Sequence, residues 1–457
     1  MKMKFLAATL LLFAIMGAMT LWNAPHGAIM TARYLAVAAL CGFGWTKRSN
    51  TTWILVFMVA GACLGHDFPV IGQYGRVPSM IFIRLVKTIV APLLFAMLVR
   101  GIAQHSDIKK TGRLGVKAII YFEVITTLAL LIGLAAINIS KAGVGVNLKV
   151  PQEPGVTTAA KVTGTDMILS AFPENIAKSV SEGKILQVVV FSFLFGIGLA
   201  MVPEEKRKPM LDFCDVLALT MFKFTKIVMY FAPVGVGGAM AYVVGHMGIG
   251  ILVNLGKLLI TLYLSIFVFI VCVLLPVALL FKVPIRRFVK ATAEPVTVAF
   301  ATTASEAAMP VALKNLEELG VSRRAASFVY PLGMSFNQDG ASVYMTLAVG
   351  FVAQASGIHM TLGTQLLVLF ALMLITKGGT GVPRGSLVWL MAMVAQFGLP
   401  VEPVFLLLGI DELMDMGRSG MNTLGNCLAT TIVAKWENDF QLTPEPQPTT
   451  AAASAAS

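Results

Sequence analysis

The chain has 457 residues, of which 57% are hydrophobic and only 13% charged, and its mean hydropathy is +0.81. That balance excludes an ordinary soluble domain, because lipid rather than water must solvate most of the surface. The net charge of +12 does not call for a nucleic-acid partner either, since the basic residues sit in alternate loops between apolar runs.

In chain order, residues 1–48 form a hydrophobic extension. "MKMKFLAATLLLFAIMGAMTLW" has a basic start and an apolar core, which suits either a signal peptide or an extra span. A second apolar segment, 30–45, follows, and the two together could form an added hairpin. From residue 50 onward spans are expected at 51–66, 79–104, 114–139, 184–202, 209–243, 250–281, 324–355 and 401–436. Residues 140–183 are polar and read as an outside loop. Basic clusters fall at Lys47 and Arg48, at Lys109, Lys110, Arg113 and Lys117, at Lys206 to Lys208, at Lys282 to Lys290, and at Arg323 and Arg324. The intervening loops near 67–77, 243–250, 356–363 and 398–403 carry only Arg76, which places the basic loops in the cytoplasm. Residues 439–457 end in a low-complexity stretch expected to be disordered. The five cysteines are scattered singly, without metal or disulfide spacing, and read as small hydrophobes.

Two segments, 287–320 and 364–399, do not read as simple spans. Each is apolar, breaks at a small polar run ending in Pro, and turns apolar again. The breaks are "TTASEAAMP" (302–310) and "TKGGTGVP" (376–383). Non-helical backbone in lipid would leave polar groups unsatisfied at several kcal/mol each, so both breaks must be buried in protein or line an aqueous cavity. They read as the tips of two re-entrant hairpins. A matched pair of interrupted segments, each followed by a helix with polar residues at its middle, points to inverted repeats with a binding site between them. Basic flanks place the entry of the first hairpin on the cytoplasmic side and that of the second outside.

The last span carries Asp411, Asp415, Arg418, Asn422 and Asn426 at i, i+4, i+7, i+11 and i+15, a polar stripe along one helix face. Ionisable groups at that depth cost about 2.5–3.5 kcal/mol each and persist where they pair or bind something charged. The planar fork of Arg418 suits a carboxylate; alternatively it pairs with Asp415 or Asp411 to hold the bundle. "SFNQDGAS" (335–342) is expected to break a helix at Gly340, leaving Asn337 and Asp339 beside freed carbonyls. Such oxygens suit an alkali cation, while a capped kink is the plainer alternative. Glu123, inside the third span, and Glu306, in the first tip, are candidate proton carriers or hydrogen-bonded interhelical groups.

At these residues the sequence resembles the dicarboxylate/amino acid:cation symporter family, over about 50–438. Four motifs in order carry the resemblance: "TTASEAAMP", "NQDG", "GGTGVP" and "DMGRSGMNTLGN". The resemblance implies an all-α membrane protein with eight transmembrane helices, two re-entrant hairpins and inverted repeats, working as an elevator-type transporter. It implies a homotrimer in the bacterial inner membrane. Residues 49–283 would be mainly scaffold, with the third and sixth spans joining the transport domain; 284–438 would be the core of that domain. Arg418 would hold the distal carboxylate of a small acidic substrate and Asp415 its amino group. Asn422 would bind the main carboxylate with Ser305, Ser419 and the second tip at Thr380, Gly381, Val382 and Pro383. Cation sites would use Gly333, Ser335, Asn337, Asp339, Asn422, Asn426, Thr376 and Gly378. No prosthetic cofactor is implied, only transported Na+ or H+.

Three departures from the family pattern bear on coupling: Asn426 stands where sodium-driven archaeal members have a carboxylate, Gln338 lies inside the Asn-x-Asp-Gly motif, and Ala304 and Glu306 occupy the first tip. Glu306 and the "YFE" of the third span are similar to proton-linked bacterial carriers. The function expected is import of glutamate or aspartate, with a C4-dicarboxylate carrier as the alternative, in which Arg384 could offer a second carboxylate contact. A passive anion channel would be excluded by uptake against a gradient. No nucleophile and base pair suggests an enzyme.

Overall fold

The computed structural model describes residues 11, 15, 25–47, 49–103, 108–146, 172–182, 185–376 and 385–442. Helices dominate among them: α1 His26–Lys47, α2 Asn50–Asp67, α3 Pro69–Tyr74, α4 Arg76–Ala103, α5 Ile108–Ser140, α6 Ile176–Ser181, α7 Ile185–Ala200 and α8 Glu204–Met247. They continue with α9 Ile251–Phe269, a π-turn at Ile270–Leu274 and α10 Leu275–Leu280, then α11 Ile285–Thr302, α12 Ser305–Leu319, α13 Arg323–Phe336, α14 Asp339–Ala355, α15 Leu362–Ile375, α16 Gly385–Gln396 and α17 Glu402–Trp436. The π-turn precedes Pro276, whose missing N–H and ring cannot be fitted into an undisturbed α-helical ladder.

Expected spans coincide with α2, α4, α5, α7, α8, α9 with α10, and α17, and the span 324–355 is divided between α13 and α14. Among the described residues five helical stretches are long and apolar enough to cross a membrane: His26–Lys47, Pro69–Arg100, Arg113–Ser140, Glu204–Met247 and Ile251–Leu280. On α9, Val253, Ile260 and Phe267 are exposed at seven-residue spacing, while Leu255, Leu258 and Leu262 face the interior. That division is what a lipid-facing helix of period 3.6 requires. Cys63, Cys214 and Cys427 are buried, as small hydrophobes would be, whereas Cys272 is exposed on the outer face of the π-turn.

The helices fall into two packing groups. In one, α8 lies against α2 and α4, and α4 against α7. Gly61 and Gly65 of α2 meet the backbone of α8 at Gly237 and Ala241. This small-xxx-small contact lets two backbones approach where lipid supplies no hydrophobic drive. Its register makes α2 and α8 parallel. In the other group α5, α11, α13 and α14 pack around α17, with α9 against α17 and α5. α14 and α17 are buried on nearly every side, as core helices with apolar residues all round must be. α1 packs against α2, and the ion pair between Arg33 and Asp67 joins them, with side chains only 13% and 1% exposed.

The first hairpin break is narrower than the sequence suggests. It is confined to Thr303 and Ala304: helix resumes at Ser305 and runs through Pro310. Pro310 lies in the second turn of α12, early enough that little of the hydrogen-bond ladder precedes it. Thr303 closes the tip in a left-handed conformation, φ 54°, an uncommon state for a β-branched residue and one tolerated chiefly at functional turns. At the second tip α15 ends at Ile375, and residues 377–384 lie outside those described.

Candidate functional site

Arg418 is among the largest fully buried side chains of the protein. Its Nε donates to Asp415 Oδ1 at 2.7 Å and its Nη1 to Asp411 Oδ1 at 3.0 Å. Both acceptors lie one or two turns back on α17, where helical spacing brings i−3 and i−7 onto the same face. The ring of Tyr344 on α14 lies 4.1 Å from the guanidinium carbon, and its hydroxyl donates to Asp411 at 3.3 Å. A cation over an aromatic face recovers part of its lost hydration. Among the described residues, Nη2 of Arg418 has no hydrogen-bond partner. Buried guanidinium donors are rarely left unsatisfied, and one arginine here lies between two aspartates of its own helix. The arrangement can therefore accept both an anionic oxygen and a cationic group.

The helix break lies alongside. α13 stops at Phe336 and α14 starts at Asp339, so Asn337 and Gln338 form the break and Gly340 sits within the first turn of the new helix. The expected break at Gly340 is thus corrected by two to three residues. Glycine is required there for a different reason: a Cβ at Gly340 would collide with the Arg418 carbonyl, and one at Gly425 with the Asp339 carboxylate. The two glycines let α14 and α17 cross at backbone contact.

Asn337 Nδ2 donates to Asp339 Oδ2 at 3.0 Å and to Asn426 Oδ1 at 3.2 Å, while Asn337 Oδ1 has no partner among the described residues. The Gly333 carbonyl accepts from the Asn337 N–H at 2.7 Å. Asn422 Oδ1 accepts from the N–H groups of Gly340 at 2.7 Å and Ala341 at 3.3 Å, and its Nδ2 donates to Gln338 Oε1 at 2.7 Å. It thereby satisfies orphan donors of a buried helix N-terminus. Amide oxygens, carbonyls and one carboxylate are hard ligands suited to an alkali cation. Among the described residues no cluster of three or more His, Cys, Asp or Glu side chains could hold a metal ion.

The structure brings Ser305 to this stripe: its hydroxyl donates to the Ser419 carbonyl at 3.4 Å, and the Ser419 hydroxyl donates to Asp415 at 3.3 Å. Thr376 is buried, with its hydroxyl on the Leu372 carbonyl at 2.7 Å. Ser335 is half-buried beside the break. Gly378, Thr380, Gly381, Val382, Pro383 and Arg384 lie outside the described residues. Glu306 is half-buried at the first tip, next to Ser305. Glu123 is half-buried on α5; its neighbour Phe122 lies against Gly333.

Sequence reasoning passed over three residues. Tyr344 was available as a signal, seven residues or two helical turns after Asn337. Gln338, noted only as a departure, ties the break to α17 through Asn422 and donates to the Met334 carbonyl. Glu412, buried beside Asp411, stands outside the i, i+4, i+7 stripe and so escaped it.

The sequence pattern of the sodium:dicarboxylate symporter family matches residues 51–436. The chain belongs to that family. Among relatives of this symporter, the C4-dicarboxylate transport protein of Anaeromyxobacter sp. (strain K) is 39% identical over 86% of this chain and 91% of its own length. The proton/sodium-glutamate symport protein of Bacillus caldotenax is 38% identical over 86% and 96%. The proton/glutamate-aspartate symporter of Bacillus subtilis (strain 168) is 40% identical over the same shares. The family match begins within α2 and so leaves α1 outside it.

Proposed function

We propose that this symporter imports acidic amino acids, glutamate or aspartate, together with H+, Na+ or both. The observation that carries this reading is the Arg418 cluster: a buried guanidinium held by two aspartates, whose Nη2 has no partner among the described residues. An acidic amino acid offers a carboxylate to Nη2 and an ammonium that the Asp415 carboxyl can accept beside Arg418 and Ser419. Asn422, Ser305, Ser419 and the second tip at Thr380 to Pro383 then receive the main carboxylate. Na+ is assigned to Asn337, Asp339 and Asn426 with backbone oxygens at Gly333, Ser335, Thr376 and Gly378. Asn426 brings no charge, which weakens that cation site and favours a contribution from protons carried at Glu306 or Glu123.

In this reading α2, α4, α7 and α8 form the scaffold of a homotrimer in the bacterial inner membrane. α5, α9, the two hairpins, α13, α14 and α17 travel as one body. Backbone-level crossing of α14 and α17 supports their moving together. Cation binding orders the break, the second hairpin closes over substrate, and the loaded body slides. Coupling requires that closure be poor over cation alone, a differential affinity of the two states.

A second reading, C4-dicarboxylate import, is favoured by Asp415 already accepting from Arg418 and Ser419, which gives it a structural role without any amino group. Uptake of radiolabelled L-aspartate into proteoliposomes under a pH gradient without sodium, with excess succinate as competitor, tests both. Accumulation that resists succinate is expected; accumulation of succinate but not aspartate would replace the first reading with the second. Asp415→Asn sharpens the result, abolishing aspartate uptake in the first reading and leaving succinate uptake in the second. A wild-type protein that accumulates neither would overturn both.

A further inference from the structure

A cavity of about 460 Å³, large enough for a small dicarboxylate, lies between the two packing groups. One wall carries Asn50 of α2 with Thr225 and Lys226 of α8; the other carries Thr303 and Glu306 of the first tip and Glu412 of α17. The second wall adjoins the Arg418 site. Glu412 is three residues before Asp415 on the same helix, and Glu306 follows Ser305, whose hydroxyl reaches the Ser419 carbonyl at 3.4 Å.

Depth follows from the helices. Asn50 opens α2 just after the basic Lys47, and its Nδ2 donates to the Met229 carbonyl at 2.7 Å. α2 and α8 are parallel from that level, so the cavity sits at the start of α2 and midway along α8; the start of α2 is the end that charge bias assigns to the cytoplasm. A solute leaving Arg418 through this space emerges on the cytoplasmic side.

Charge is divided unevenly across the cavity. Glu306 and Glu412 stand on the wall the solute leaves, and Lys226 is the cation among the described residues that line it. Lys226 is exposed, and among the described residues it makes no ion pair. Among the described residues lining this space, an acidic solute departing from Arg418 meets its opposite charge only at Lys226, with the Thr225 hydroxyl and Asn50 amide beside it.

We propose that this cavity is a second, transient station for the acidic substrate, in which Lys226 receives a carboxylate released by Arg418 on its way to the cytoplasm. The inference rests on the functional reading above and adds a substrate-facing residue on a helix that does not belong to the Arg418 group. A field of fixed charges lining a narrow space speeds passage of an oppositely charged solute and weakens with salt.

The test uses the full-length chain in proteoliposomes, with the five native cysteines replaced and Lys226→Cys introduced. Lys226→Cys is expected to slow uptake by about three- to tenfold. Modification with a cationic aminoethyl thiosulfonate should restore the rate, an anionic sulfonatoethyl reagent should lower it further, and half-saturation by external substrate should stay unchanged. Rising ionic strength should slow the lysine form and leave the unmodified cysteine form nearly flat. Uptake indifferent to the charge at position 226 would overturn the inference, as would a fall in thermal unfolding midpoint that tracks the fall in rate. If the cysteine form does not fold, Lys226→Arg against Lys226→Gln, with the salt series on the wild type, carries the same comparison. A parent protein that transports neither aspartate nor succinate defeats the functional reading and this inference with it; an active parent that ignores the charge at 226 defeats this inference alone.

Discussion

Among the described residues two arginine–aspartate contacts are buried, and they are built differently. Arg33 of α1 meets Asp67 of α2 one to one, a formally neutral pair between successive helices. Arg418 lies between Asp411 and Asp415 of its own helix, with one nitrogen unengaged and an aromatic face against it. Burying a charge pair costs several kcal/mol per ion in desolvation, so each needs a return. The neutral pair is repaid by fixing one helix on another. In the Arg418 cluster one guanidinium nitrogen has no partner among the described residues, and in the proposed function a substrate carboxylate engages it. Burial of an arginine therefore says little about function, whereas an idle donor says a good deal.

The largest expected effect lies at Arg418. Arg418→Lys keeps the charge but loses the second arm of the fork, and a bidentate site is not conserved by that exchange. Substrate affinity should fall by about two orders of magnitude, the scale set by a charge-assisted hydrogen bond of roughly 1.5–3 kcal/mol, with the unfolding midpoint nearly unchanged; equal affinity would remove the fork from recognition. At the other pair the pattern should reverse. Arg33→Ala leaves Asp67 buried without its cation and should cost about 3–5 kcal/mol of stability, read as a lower unfolding midpoint, while the half-saturation constant of the surviving protein stays put. The double replacement Arg33→Met with Asp67→Leu should regain most of that loss, since it leaves no orphan charge. A change of substrate affinity in either variant would erase the distinction between the pairs.

Gly340→Ala comes next. Its Cβ would collide with the Arg418 carbonyl, and overpacking of this kind costs about 1–3 kcal/mol. Because the contact holds the break beside the stripe, the variant should lose cation dependence of substrate binding more than binding itself, measured by titrating substrate at several sodium concentrations and pH values. Unaltered cation dependence would show that the crossing of α14 and α17 does not transmit coupling.

The fold was largely legible because lipid enforces long apolar runs, and the polar stripe of α17 because 3.6-residue spacing displays it directly. Legibility failed where a contact depends on the neighbouring helix. Gly340 looked like a helix breaker, yet its need is close approach to Arg418, which no single segment reveals. Tyr344 sat in an apolar run and looked like core until its ring was found on the guanidinium. Asn422 reads in the sequence as a carboxylate ligand, and that its side chain also caps the first turn of α14 shows only once the two helices meet. The Arg33–Asp67 pair joins the extension to the first span of the family match, and neither residue lies in a pattern that spacing could detect.

The smallest effect concerns a third set of charges, outside the apolar layer. Past the end of α17, Glu437 accepts from Arg113 Nε at 3.1 and 3.0 Å and pairs with Lys117, whose Nζ also donates to the Trp436 carbonyl at 3.0 Å and lies 5.0 Å from that ring. The hydrogen bond from Lys117 holds the Glu437 carboxyl below its usual range, with Arg113 assisting and burial opposing. A carboxylate whose folded pKa is depressed stabilises the fold above its unfolded value, near 4.3 for glutamate, and that contribution is lost as pH falls through the lower folded value. Glu437→Gln should therefore cost about 0.2–1 kcal/mol at neutral pH, the range of partly exposed pairs. The unfolding midpoints of variant and wild type should converge as pH drops below about 4. This contact differs from both buried pairs in being screened by salt, so a gap that persists at high ionic strength would mean that the Glu437 contact belongs with Arg33 and Asp67 rather than at the surface.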